Sequence, residues 1–203
     1  MAKRITPEEK IISATMELIA EQGWRALSLD EIAEQAKVKL PILRKSFSSK
    51  EAILERFRAN VDAAVLEQAE LEDWQGETPR DRLFDVIMTR FDELEPAKSA
   101  LKQLSSEIMS DPIALLAGAR GTINSMDWML KAARIEPTGL RRLVMSRGLS
   151  AIYARIFPIW LEDDDPGMPR TMAELDKRLR QAESLFARLP VIGFSAEPEG
   201  DAA

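Results

Sequence analysis

The stretch Leu27–Leu54, reading LSLDEIAEQAKVKLPILRKSFSSKEAIL, constrains the fold more than any other part of the chain. Ser28 and Glu31 stand at the spacing of a capping box, in which each side chain satisfies the other's backbone amide at a helix start. Leu27 and Ile32 occupy the positions of a hydrophobic staple across that start. Leu29, Ile32, Ala33 and Ala36 recur at helical spacing, so one face of a short helix is buried. Lys37-Val38-Lys39 interrupts the pattern briefly before Leu40, Leu43 and Phe47 resume it. Ser48-Ser49-Lys50-Glu51 reads as a second capping box that opens the next helix. Two short helices around a tight connection form the helix-turn-helix pattern.

Composition excludes several chemistries. Among 203 residues there is no cysteine and no histidine. The chain therefore has no disulfide, no thiolate metal site, no cysteine nucleophile and no imidazole base or ligand. No nucleophile–base pair is visible, so an enzyme is not expected, and no cofactor is implied. The start, MAKRITPEEK, lacks the apolar region of a signal peptide. The longest apolar run, around Ile113–Ala119, is far short of the about 20 residues that span a bilayer. The expectation is a cytoplasmic protein without stable membrane insertion.

Along the chain every periodic segment reads as helix, and no strand pattern or repeat interrupts them. Thr6-Pro7-Glu8-Glu9 starts a helix with Ile11, Ala14, Leu18 and Ile19 on one side, and Gly23 ends it. A short third helix is expected near Lys39–Ser46, with Pro41 early enough for its missing amide hydrogen to cost little. Ser49 opens a long helix to about Asp73, followed by a linker at Trp74–Glu77. Thr78-Pro79 starts the next helix, Pro96 interrupts, and further helices follow over 97–109 and from Asp111 to the break at Pro137–Gly139. Leu140–Leu161 is long and apolar on more than one side, with Pro158 placed to kink or weaken its end. The acidic loop Glu162–Gly167 lacks the alternation of a calcium loop and reads as charge complementing the start of the final helix. The expected division is a DNA-binding unit over 1–48, a larger helical domain over 49–189 with Ser49–Asp73 as connecting helix, and a flexible tail over 190–203.

The net charge of −6 is unevenly placed: residues 1–60 hold 11 of the 28 Lys+Arg and 9 of the 34 Asp+Glu. Lys37, Lys39, Arg44, Lys45 and Lys50 fall within fourteen positions of the helix-turn-helix. A basic face is often only a solvated surface. Here its coincidence with the motif favours contact with phosphates.

The first 55 residues resemble the TetR family of one-component transcriptional repressors. The resemblance is carried by Ile11-Ile12, Ala14, Leu18-Ile19, Glu21-Gln22-Gly23-Trp24, Leu27-Ser28-Leu29, Ile32-Ala33, Ala36, Val38, Leu43, Phe47 and Ser49-Lys50-Glu51-Ala52. It implies an all-α, TetR-like fold with a three-helix DNA-binding unit and a ligand-binding and dimerisation domain. The DNA-contacting set it implies is Ser28, Lys37, Lys39, Leu40, Pro41, Arg44, Lys45 and Lys50, on a double-stranded operator. Arg44 and Lys45 are assigned to phosphates, and Lys39 to base edges or phosphates. The chain departs from the family where glycine is usual (Lys37), where a small residue is usual (Pro41), at a usual threonine (Ile42) and at the phosphate-contacting tyrosine (Arg44).

A second resemblance spans roughly residues 80–188. Arg82-Leu83-Phe84, Ser125-Met126-Asp127-Trp128-Met129, Gly148–Tyr153, Trp160–Asp164 and Arg170–Leu179 look like the C-terminal part of COQ9, a lipid-binding protein of ubiquinone biosynthesis. It implies a second domain that takes an apolar small molecule or lipid. Methionine adapts to irregular apolar shapes, and Phe84, Met88, Met126, Met129 and Met145 form the expected ligand-binding set. The same residues equally suit a plain core, as do Trp128 and Tyr153. Met172, Leu175, Leu179, Ala182, Phe186 and Leu189 follow gaps of three and four, a narrow seam of the kind that packs on a partner helix. Leu175, Leu179, Ala182 and Phe186 are therefore expected to hold a homodimer. The resulting expectation is a dimeric repressor of palindromic DNA released by an apolar ligand. The alternative is a COQ9-like lipid-binding accessory protein with a vestigial helix-turn-helix.

Overall fold

The computed structural model describes residues 5–187, which form α-helices, one 3-10 turn and no strand. The first three helices are α1 (Pro7–Gln22), α2 (Leu29–Gln35) and α3 (Leu40–Ser46). The expected capping box of Ser28 with Glu31 is formed, and Thr6 with Glu9 makes another at the start of α1. Gly23 ends α1 at φ 85°, where a residue with a Cβ is strained. Pro41 lies in the first turn of α3, so no intrahelical bond is lost.

α4 (Lys50–Leu71) begins one residue later than a Ser48 box requires. Ser49 is the cap and accepts from the Ala52 amide, so Glu51 falls short of the reciprocal position and the box expected at Ser48–Glu51 does not form. α5 (Pro79–Leu94), the 3-10 turn Glu95–Ala97 at Pro96, α6 (Lys98–Ile108), α7 (Pro112–Ala132), α8 (Gly139–Leu161) and α9 (Pro169–Ala187) complete the chain. Pro158 does not shorten α8, which continues to Leu161.

The segment read as a linker is a turn anchored in the core. Gly76 turns the backbone at φ 79°. Trp74 is buried and its indole donates to the Ala69 carbonyl at 3.2 Å.

Two apolar cores meet along α4. The first joins Ile11, Ile19, Ile32, Leu43, Phe47 and Ile53. Ala97, Ala100 and Leu104, from the 3-10 turn and α6, close it. The second core lies among α4, α5, α7, α8 and α9. At its centre Phe91 stacks between Tyr153 and Trp160, with ring centroids 5.3 Å away on each side. Phe57 of α4 packs against both cores.

The α9 seam lies inside this chain. Leu175 and Leu179 are 0% and 4% exposed in the second core, where α9 packs on α5 and α8. They are not available to a partner helix as expected from their spacing. Ala182 is half-buried. The side chain of Phe186, Leu189 and the tail lie outside the described residues. The acidic loop works as a cap, although from further away than a helix-start charge. Asp163 is buried and accepts from the amide and hydroxyl of Thr171, each at 2.8 Å. Burial pushes its carboxyl upward, but the Thr171 bonds and the charge of Arg170 outweigh this and hold it below the usual aspartate value.

Candidate nucleic-acid interface and the adjoining cleft

The turn between α2 and α3 sets the direction of α3. The amide of Lys37 donates to the Glu34 carbonyl and that of Val38 to the Ala33 carbonyl, both at 3.0 Å. This is the paired pattern of a Schellman helix end. It requires a left-handed residue, and Lys37 supplies it at φ 54°. The departure from glycine at this position therefore leaves a strained backbone rather than a different turn.

α3 is held by one side only. Leu43 and Phe47 are buried at 0% and 3% exposure. Pro41, Ile42 and Lys45 point away from them, with Leu40 and Arg44 on the flank. Leu40 and Ile42 are 42% and 44% exposed, an unusual share of apolar surface on so short a helix. Lys37, Lys39, Arg44 and Lys45 are exposed around them. No acidic residue occurs between Glu34 and Glu51, and the nearest carboxylate on the cleft beside Arg44 and Lys45 belongs to Glu55 of α4. Lys37, Lys39, Leu40, Pro41, Arg44 and Lys45 thus share one exposed surface. One guanidinium nitrogen of Arg44 donates to the Ser48 carbonyl, which orients the side chain.

The other two residues of that set do different work. The Ser28 hydroxyl is held by Glu31, donating to its carboxylate at 2.6 Å and accepting from its amide at 3.3 Å. The ammonium of Lys50 donates to the carbonyls of Trp24 and Leu27 at 2.9 and 3.1 Å. It also sits 4.6 Å from the Trp24 ring centroid. Lys50 therefore fastens the α1–α2 loop to α4.

Glu107 on α6 fastens the same loop from the other side. Its carboxylate accepts from the amides of Trp24 and Arg25, each at 2.9 Å. The Arg25 guanidinium returns to Ser110 at 2.9 Å. The pairing joins positions more than eighty residues apart, and no local pattern announces it.

In the second core, Met126, Met129 and Met145 are buried at 0%, 0% and 5% exposure, with Phe84 and Met88 packed half-buried against it. The expected ligand set is therefore brought together as closely packed core. A charged cluster lies beside it. Asp62 of α4 and Arg90 of α5 form a buried ion pair, and Ser125 of α7 donates to Asp62 at 2.7 Å. Arg90 also lies 5.6 Å from the Tyr153 ring, whose phenol burial pushes above its usual value. Neither Asp62 nor Arg90 was singled out in the sequence, since each lies on an otherwise ordinary amphipathic helix. A cleft of about 790 Å³ opens from this cluster toward α3, between the Arg44–Ser48 end, α4 and α7.

Residues 11–57 match the family model described as "Bacterial regulatory proteins, tetR family". No curated protein matches the chain. Solved structures share its fold. A TetR transcriptional regulator from Nitrosomonas europaea ATCC 19718 superposes with a TM-score of 0.70 at 21% identity, covering 86% of this chain and 97% of that one. Thermus thermophilus FadR, a TetR-family transcriptional repressor solved with lauroyl-CoA, gives 0.57 at 22% identity over 96% and 100% of the two chains. A TetR transcriptional regulator from Rhodococcus sp. RHA1 gives 0.55 at 18%, over 86% and 94%. The family match ends at residue 57 and so does not reach the COQ9-like segments.

Proposed function

From a tetR-family domain at residues 11–57, carried on the fold of TetR regulators, we propose that the protein is a dimeric, ligand-released transcriptional repressor. The observation that carries this reading is the exposed surface of α3, a helix that itself bears cations and no acidic residue. Lys37, Arg44 and Lys45 suit phosphate oxygens, which give affinity without sequence preference. Lys39 lies at the start of α3, within reach of guanine edges or phosphates. The exposed apolar Leu40, Pro41 and Ile42 suit thymine methyl groups in a major groove. A two-fold dimer places two α3 helices in successive grooves about 34 Å apart.

The dimer uses the exposed side of α8. Leu140 and Leu143 are 67% and 46% exposed there, and beyond the exposed Arg147 the same face continues with the small or rigid Ala151, Ala154 and Pro158. Met172 of α9, the helix packed on α8, is 40% exposed. The ligand is an apolar chain taken up between the helices carrying Phe84, Met88, Met126, Met129 and Met145. Lauroyl-CoA in the FadR structure supports that class. Because these side chains are closely packed, uptake requires α5, α7 and α8 to part, and the ligand stabilises the parted state by its preference for it.

The test is a gel shift with DNA flanking the protein's own gene, repeated across salt concentrations. Each phosphate contact contributes about 0.9 to the slope of log affinity against log salt. Arg44→Ala should lower the slope by about 1.8 for a dimer while weakening all sequences alike. An unchanged slope removes Arg44 from the interface. No binding of any DNA at low salt overturns the reading. Light scattering that returns a monomer at micromolar concentration overturns the dimer.

A further inference from the structure

The cleft between α3, α4 and α7 is built around a cation that the fold leaves unmatched. Arg58 of α4 is half-buried and has no hydrogen-bond or ion-pair partner among the described residues. Its neighbours are already paired: Arg56 with Glu8 at 3.1 Å, and Asp62, one turn further along α4, with Arg90. The Arg58 guanidinium lies against α7 at a position that only glycine permits. A Cβ on Gly121 would fall 1.5 Å from its Nη1. The missing side chain is thus what admits the charge to the cleft wall.

The rest of the wall suits an amphiphilic anion. Asn124 is exposed beside Gly121, with its amide unpartnered among the described residues. One helical turn beyond Asn124, Trp128 places a 45% exposed indole at the rim, with the Lys131 ammonium 4.4 Å from its ring centroid adding a further cation beside it. With Arg56 and Asp62 matched elsewhere, the lining carries Arg44, Lys45 and Arg58 against Glu55 alone. A positive, part-desolvated cleft with one apolar wall favours a negative head on an apolar body.

We infer that this cleft binds an anionic amphiphile, with its carboxylate or phosphate on Arg58 and Asn124 and its apolar body along Trp128. The occupant bridges the end of α3 to α7 and so ties the angle of the DNA-facing unit to the second domain. It also brings a negative charge to the side of α3 that bears Arg44. Bound ligand therefore lowers DNA affinity. That consequence rests on the ligand-release reading above, whereas binding itself does not.

The experiment is titration calorimetry on the full chain with octanoate, octan-1-ol and inorganic phosphate, followed by DNA affinity with and without octanoate. Octanoate should bind saturably, and at least tenfold more weakly to Arg58→Gln and to Gly121→Ala. Gly121→Ala keeps the charge and displaces it, and alanine favours a helix interior over glycine, so its loss of binding is not a folding defect. Arg58→Lys should retain most of the affinity. Phosphate competing with octanoate supports the seat as a general anion site, and octanoate binding that phosphate does not displace supports a carboxylate site. Octanol binding as tightly as octanoate, octanoate binding undiminished in both weakened variants, or no saturable binding of octanoate or phosphate at millimolar concentration overturns the inference. Arg58-dependent binding that leaves DNA affinity unchanged supports the anion site and sinks the release mechanism. Arg58-independent binding that lowers DNA affinity does the reverse.

Discussion

Replacing Lys37 by glycine should make the protein more stable, although it removes a large side chain. Lys37 holds φ 54° because the amide pair into Glu34 and Ala33 demands it. A left-handed conformation costs a residue with a Cβ about 1–2 kcal/mol. Glycine removes that cost but loses about 0.5–1 kcal/mol more chain entropy on folding. The net gain is about 0.5–1 kcal/mol, or about 1–4 °C in Tm for a chain of this length. Lys37→Ala keeps the Cβ and removes the charge, so it controls for relief of repulsion within the basic surface and should change stability little. Lys37→Val should lower it, since a β-branched residue resists this region. Arg134 repeats the geometry at the end of α7, with φ 54° and bonds of 2.9 and 2.8 Å into Lys131 and Leu130. Arg134→Gly should therefore give a similar gain in the other core. Urea unfolding followed by circular dichroism at fixed salt measures all four. A loss of stability in Lys37→Gly, or a gain in Lys37→Ala as large as in Lys37→Gly, refutes the strain argument.

Three further outcomes follow from single contacts. Glu107→Ala deprives the Trp24 and Arg25 amides of their acceptor and should cost about 1–2 kcal/mol, with faster hydrogen exchange at those two amides. Unchanged exchange there means the α6 clamp is not what holds the loop. Asp163→Asn should cost about 1–2 kcal/mol at neutral pH. The folded-state carboxyl lies below its ordinary 3.8, so its stabilisation is present above that value and lost as pH falls through the lowered one. A destabilisation equally large at pH 7 and in strong acid contradicts the assignment. Leu179→Asp should abolish the helical signal at 25 °C, because it places a charge in the second core. A folded monomer would instead return Leu179 to an interface between chains.

The local elements were legible because their signals are local. Thr6-Pro7, Ser28 with Glu31, Thr78-Pro79 and Asp111-Pro112 cap helices through atoms two or three positions apart, and each start lies where its side chain demands. The exposed basic residues of α3 were legible for the same reason, since a seven-residue helix anchored by Leu43 and Phe47 leaves the rest outside. Only the tertiary structure decided which apolar and charged side chains meet. The spacing of Leu175 and Leu179 describes a stripe and not its partner, and that partner is this chain's own α5 and α8. Lys50 counts as a cation in the sequence, yet the Trp24 and Leu27 carbonyls occupy two of its ammonium's three donors. The Asp62–Arg90–Ser125 cluster, the Glu107 clamp and the seat of Arg58 on Gly121 each join separate helices. Such pairings depend on how helices cross, which is set by the summed packing of both cores rather than by any segment's own period.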